Sequence, residues 1–229
     1  YHCSERIMSE VEKFPAPWSL KGYGYLVMFK AEPEWLFENG FIDADMHDRY
    51  VPSIGTAMVV NYESSSAGPY GELLFIPGKF RFPDGERYSI SKIYVSSMES
   101  VINGQDNWGI PKELAEFDFT AQTASQEHIR ISLPEGGDLI ADLQLSHKSW
   151  GMPVTTAVLP EKFRTVAQYW QDQLFYTAPS AKSKIKFAKL QQGEFNQALF
   201  PDLNGVKILS VLKAEAMEMQ FPLPKVAAS

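Results

Sequence analysis

The 229-residue chain is 45% hydrophobic and 21% charged, with a formal charge of -7. That balance provides for a sizeable core and excludes wholesale disorder. An acidic chain also lacks the basic field that nucleic acid or an anionic membrane surface would select, which leaves small molecules as the expected partners.

Cys3 is the single cysteine, so neither an internal disulfide nor a thiolate metal site can form, and a reducing, cytoplasmic home is expected. Residues 1–14 mix polar and apolar side chains without the continuous apolar core of a signal peptide, and no later stretch reaches membrane-spanning length. All-β barrels and sandwiches of this length are commonly one unit, so 1–229 reads as a single domain.

In chain order, period-two alternation predicts strands over 23–30, 54–62, 72–76, 87–95, 116–121, 128–133, 139–145, 154–159 and 206–219. His128-Ile129-Arg130-Ile131-Ser132-Leu133 is the clearest of them. Turn signals separate many: Ala67-Gly68-Pro69, Pro77-Gly78, Pro83-Asp84-Gly85, Pro134-Glu135-Gly136-Gly137 and Asn204-Gly205. Helical pattern is sparse. Glu32-Pro33-Glu34-Trp35-Leu36-Phe37 has proline near a helix start and acid in the first turn, with Gly40 placed to end it. Residues 160–174 form a second helical candidate with Phe163, Val166, Ala167 and Trp170 on one face. Residues 178–189, carrying four lysines, read as a solvated surface loop. The fold expected is mainly β, an antiparallel barrel or sandwich with a few short peripheral helices.

The common chemical fingerprints are missing: no Gly-Lys-Ser/Thr phosphate loop, no Gly-x-Gly-x-x-Gly, no His-Glu-x-x-His and no Gly-x-Ser-x-Gly. No cofactor and no metal is therefore expected. Asp43, Asp45, His47 and Asp48 fail as a calcium loop, because position six is Asp48 instead of glycine and position twelve is Ile54 instead of glutamate. They read as a solvated loop. His2, His47, His128 and His147 stand at no ligand spacing and read as structural or exposed.

The unusual stretch runs from Asn103 to Phe117. Gly104, Gly109 and Pro111 fix the backbone around Lys112, whose neighbours Trp108, Ile110 and Leu114 are apolar. Burial disfavours the charged form of an amine and lowers its pKa from about 10.4. A three-unit drop leaves roughly a quarter of the amine neutral at pH 7 and costs about 4 kcal/mol.

The pattern Gly104-x-x-x-Trp108-Gly109-Ile110-Pro111-Lys112, preceded by Pro69-Tyr70-Gly71-Glu72 and followed by Leu114-Ala115-x-Phe117, resembles the acetoacetate decarboxylase family. The resemblance is strongest over 62–117 and extends to Pro17-Trp18, Phe200-Pro201 and Phe221-Pro222. It implies a cone-shaped β-barrel with the site in its interior, multimeric assembly, and a lysine that forms a Schiff base with a keto acid whose carbon dioxide then leaves. That lysine falls on Lys112, and a family glutamate that handles protons and places substrate falls on Glu72. The family is itself a standard example of an amine activated by a cationic neighbour, so that idea comes from the family and not from these residues.

Three positions depart from the family pattern. Glu113 stands where the classical enzymes have a second lysine, and its charge would raise the pKa of Lys112 if the two were close. An arginine on the first strand falls at or near Tyr23, with Lys21 the nearby cation. Gly104-Gln105-Asp106 replaces Gly-Arg-Glu. With those cations missing, the same imine also suits aldol cleavage, condensation or dehydration of another carbonyl compound.

On proline-lysine alone Lys112 reads as a surface lysine at a turn, and the flanking motif turns that into a functional amine. Glu72, beside a turn and an apolar run, reads either as an exposed strand residue or as the proton shuttle. Tyr94, Trp108, Ile110, Tyr70, Tyr23 and Glu113 complete the expected pocket, although Tyr94 and Trp108 also suit simple core. A carbon-carbon lyase acting on a β-keto acid is the leading expectation, and a non-catalytic binding barrel is the alternative.

Overall fold

A computed structural model describes residues 11–228. Cys3, His2 and most of the 1–14 segment lie outside the described residues. Strands make up 55% of the structure, and the main sheet is a nearly closed barrel, as the mainly β expectation holds.

The strands are β1 (Trp18–Lys30), β2 (Tyr50–Val51), β3 (Gly55–Ser64), β4 (Tyr70–Ile76), β5 (Gly78–Phe82), β6 (Gly85–Ser89), β7 (Lys92–Val95), β8 (Glu113–Leu114), β9 (Glu116–Thr123), β10 (Gln126–Ser132), β11 (Leu139–His147), β12 (Met152–Thr155), β13 (Val166–Trp170), β14 (Gln173–Thr177), β15 (Ser180–Phe195), β16 (Lys207–Phe221) and β17 (Lys225–Ala228). Among the described residues two α-helices, α1 (Pro33–Asn39) and α2 (Met98–Trp108), accompany them. The large sheet runs β8-β7-β4-β3-β1-β16-β15-β11-β10-β9, with β12 on β15, and a smaller one runs β17-β14-β13-β6-β5-β2. Among the described pairings, only β7 with β8 and β13 with β6 are parallel. No helix among the described residues is long and apolar enough to cross a membrane.

Alternation along β1, β3, β4 and β7 divides the apolar residues between two cores on opposite faces of the large sheet. Tyr25, Val59, Leu73 and Tyr94 are neighbours across successive strands and belong to the larger core. Val60 opposite Glu72, and Met58 opposite Leu74, turn to the other face, toward a smaller core with Trp18, Ile93 and Trp108. A shift of one residue in register would exchange the two sets.

The structure corrects three readings and adds one helix. Residues 160–174 are not a helix: a 3-10 turn at Glu161–Phe163 leads into the β13–β14 hairpin. Its two-residue loop, Gln171-Asp172, has both φ angles positive, the geometry that matches strand twist, but Gln-Asp is not the usual sequence for it. Residues 178–189 are largely the start of β15, where Lys182 and Lys186 pair with Glu218 and Glu215 across the strands instead of facing water alone. Residues 87–95 are two strands in two sheets, parted at Ile90, whose backbone N–H and C=O are both satisfied by the Gln168 side chain. Residues 98–108, where no element is expected from the sequence, are α2. Ser97 caps it by accepting from the Ser100 N–H, and Gly109, at φ 64°, closes it in the left-handed conformation.

The larger core predicts its own test. Phe75 is fully buried, stacked on Phe29 at 5.1 Å and edge-on to Phe200 at 5.9 Å. Urea denaturation of Phe75→Ala should show about 3–5 kcal/mol less unfolding free energy than the parent chain; a loss below about 1 kcal/mol would contradict this packing.

Candidate active site

The helix end builds the site. After Gly109 the chain reverses, and the Lys112 N–H closes a tight turn over Pro111 by donating to the Ile110 carbonyl at 2.8 Å. The Gln105 side chain pins the Lys112 carbonyl at 3.0 Å. So held, the lysine stem folds back along α2 over Gly104 and its amine donates to Ser100 Oγ at 3.0 Å. Ser100 and Gly104, four apart, share one helical face. A methyl group on Gly104 would stand 2.6 Å from Lys112 Cδ, so glycine is required by the lysine's path and not by its own backbone.

From the sheet, β4 presents Glu72. Its Oε2 lies 3.3 Å from the Lys112 amine, with both side chains less than a tenth exposed. The other carboxylate oxygen, Oε1, accepts from the Tyr62 hydroxyl at 3.5 Å. The Tyr70 ring lies 5.0 Å below the amine and 5.0 Å from Tyr62. Burial lowers the pKa of Lys112, and the Glu72 charge and hydrogen bond pull partly the other way. Tyr62 and Tyr70 are held well above the ordinary phenol range, first by burial and then by Glu72, so both remain neutral hydroxyls.

These groups open on a cavity of about 110 Å³. One water needs roughly 10–15 Å³ on the same measure, so a small organic molecule fits. Trp108 and Ile110 line the cavity, as expected, together with Trp18, Leu20, Met58, Leu74, Ile90 and Ile93. Trp108 is fixed by its indole N–H to the Pro222 carbonyl at 2.8 Å and by edge contacts with Trp18 and Phe221. Among the described residues lining the cavity, Lys112 is the one cation.

Lys112, Glu72, Tyr70, Trp108 and Ile110 are thus brought together, and Tyr94, Glu113 and Tyr23 are not. Tyr94 neighbours Val95, the partner of Glu72, so alternation turns it into the larger core, where its hydroxyl donates to the Leu199 carbonyl at 3.0 Å. Glu113 is exposed and pairs with Lys92 at 2.6 Å, away from the amine, so its charge does not load the catalytic candidate. Tyr23 lies on the larger-core side of β1 and donates to Glu127 Oε1 at 2.5 Å; burial and that carboxylate push its pKa up to about 12. The sequence reading missed Ser100 and Tyr62. Ser100 follows the Ser97 cap by three positions and precedes Gly104 by four, a spacing that becomes visible once α2 is recognised.

Among the described residues no group of three or more His, Cys, Asp or Glu side chains gathers around a metal position. The Asp43 to Asp48 cluster surrounds a 3-10 turn, Ala44–Arg49, and His47 stacks on Phe37 at 4.2 Å.

A buried amine beside a buried carboxylate, facing a cavity of the β-rich fold, is an arrangement chemically suited to reaction with a carbonyl group. The family model of acetoacetate decarboxylase (ADC) matches residues 44–176, more than half of the chain, and the chain belongs to that family. No curated protein sequence matches it. Among solved structures, it is similar to the acetoacetate decarboxylase of Legionella pneumophila subsp. pneumophila str. Philadelphia 1 at 18% identity and TM-score 0.70, covering 93% of this chain and 88% of that one. An acetoacetate decarboxylase-like enzyme from Sphingomonas wittichii RW1 matches at 13% identity and TM-score 0.63, covering 93% and 94%. The enduracididine biosynthesis enzyme MppR, solved with pyruvate, matches at 14% identity and TM-score 0.60, covering 93% and 90%.

Two variants test the geometry. In Glu72→Gln the titration midpoint of the Lys112 amine, read from its acylation rate against pH, should move further below its wild-type value, because the charge that holds the proton is gone; an upward move would contradict the pairing. Gly104→Ala should lose net stability, because pushing the Lys112 stem aside strands the buried Glu72 charge and outweighs the roughly 1 kcal/mol that helix propensity offers, while the acylation rate of Lys112 drops sharply. Unchanged acylation would show that the stem does not lie over Gly104.

Proposed function

We propose that the protein is a Schiff-base-forming carbon-carbon lyase whose leading reaction is decarboxylation of a β-keto acid on Lys112. The observation that carries this reading is the buried Lys112 amine 3.3 Å from a buried carboxylate, facing a cavity large enough for a small carbonyl compound.

In this reading the neutral Lys112 amine attacks the ketone carbon, and the carbinolamine loses water to give a protonated imine. The bond between the α-carbon and the carboxylate breaks, its electron pair passes to the iminium nitrogen as an enamine forms, and carbon dioxide leaves. Glu72, hydrogen-bonded to Tyr62, takes up a proton from solvent and passes it to the α-carbon, and water then hydrolyses the imine to release the ketone and the free amine. Family membership supports the enzyme class.

A second reading, imine chemistry on a neutral carbonyl compound, is favoured by the lining of the cavity. The iminium and Glu72 balance each other, so a substrate carboxylate adds a charge with no second cation to meet it. The neighbouring MppR structure holds the condensation product of pyruvate and imidazole 4-carboxaldehyde, which shows for that protein a product other than that of decarboxylation.

The test is borohydride reduction in the presence of β-keto acids, with peptide mass mapping and measurement of carbon dioxide release. A covalent adduct on Lys112 is expected, absent in Lys112→Ala, and release should fall about a hundredfold or more in Glu72→Gln. An adduct without carbon dioxide release selects the second reading, and no adduct with any carbonyl compound overturns both.

A further inference from the structure

The cavity has a direction. Along β4, alternate residues share a face and stand roughly 7 Å apart. Tyr70 and Glu72, with Tyr62 opposite Tyr70 on β3, make one end polar. Two residues on, Leu74 stands between Met58 and Ile93, its partners on the flanking strands, and beyond it come Ile76 and Ile90. The lysine amine lies at the polar end, and the wall continues without a charge for roughly 14 Å of strand from Glu72 to Ile76.

From this arrangement we infer that the substrate is a carbonyl compound carrying an apolar chain, whose carbonyl meets Lys112 and whose chain lies along Met58, Leu74, Ile93, Ile76 and Ile90. This rests on the imine reading of Lys112 and extends it to the substrate's other end. The cavity of about 110 Å³ takes roughly seven to eleven non-hydrogen atoms, at 10–15 Å³ for each water-sized group. The carbonyl and its small substituent use about three, which leaves a chain of roughly four to eight carbons. A polar or charged chain would leave its own groups without partners on that wall. A compound as short as acetone would leave most of the wall unfilled.

The experiment is borohydride trapping on the intact protein with acetone, methyl propyl ketone and methyl pentyl ketone, and with a hydroxyl-terminated ketone matching methyl propyl ketone in length. The concentration giving half-maximal adduct on Lys112 should fall about threefold to fourfold for each added methylene, and the hydroxyl-terminated ketone should require a much higher concentration than its apolar counterpart. Equal trapping of acetone and methyl pentyl ketone overturns the apolar-chain inference and leaves the imine intact. If nothing is trapped, the imine reading fails, and melting temperature in a matched series of straight-chain alcohols then reads the chain preference without a carbonyl. A rise with chain length supports the apolar wall as a binding surface, and a flat response overturns it. A narrowing variant, Leu74→Phe, should move the preferred ketone to a shorter chain.

Discussion

Removal of water from one ammonium group, opposed by one carboxylate at 3.3 Å, is the interaction on which the site depends. Burial alone would drive the proton from Lys112, and Glu72 alone would keep it there; the balance leaves the amine below its ordinary pKa with an acid or base in contact. Removing one partner from a buried pair strands the other charge, so such a pair constrains its surroundings. Here those surroundings are the Ser100 hydroxyl, the Tyr62 hydroxyl and the Tyr70 ring, each held by a different part of the fold.

Two structural rules deliver the pair. The left-handed Gly109 ends α2 and sends the chain back so that Lys112 lies over Gly104, a helix position with no side chain to block it. The two-residue period of β4 then aims Glu72 at the same point while Leu73 and Phe75 enter the other core. The same period explains why an aromatic next to the site in sequence, Tyr94, takes no part in it.

Much of this was legible beforehand. Period-two alternation located most strands, and the family resemblance carried by the glycine-proline-lysine segment and the Tyr70-Gly71-Glu72 strand put Lys112 and Glu72 forward together. Misreadings arose where local pattern and tertiary context disagree. Asn103, Gly104, Asp106 and Asn107 are weak helix formers, yet α2 forms because caps at both ends and the docked residues Phe14 and Ala16, bonded to Asn103 and Asn107, hold it. The apolar spacing of 160–174 suits a helix, but the chain pairs as a hairpin in the smaller sheet. Tyr23 and Glu113 were carried over from family positions, and sequence spacing alone does not tell which face of a strand a position will occupy or which lysine it will meet. For Glu113 that lysine is Lys92, from the adjoining strand.

The ionisation of Lys112 itself decides the account. Carbon-13 labelling of lysine at the ε-carbon, with the Lys112 signal assigned by its loss in Lys112→Ala, gives the titration curve of that amine in the unliganded protein by NMR. A midpoint clearly below the ordinary 10.5 is predicted; a midpoint at or above that value would show a permanently charged ammonium, unable to attack a carbonyl at neutral pH.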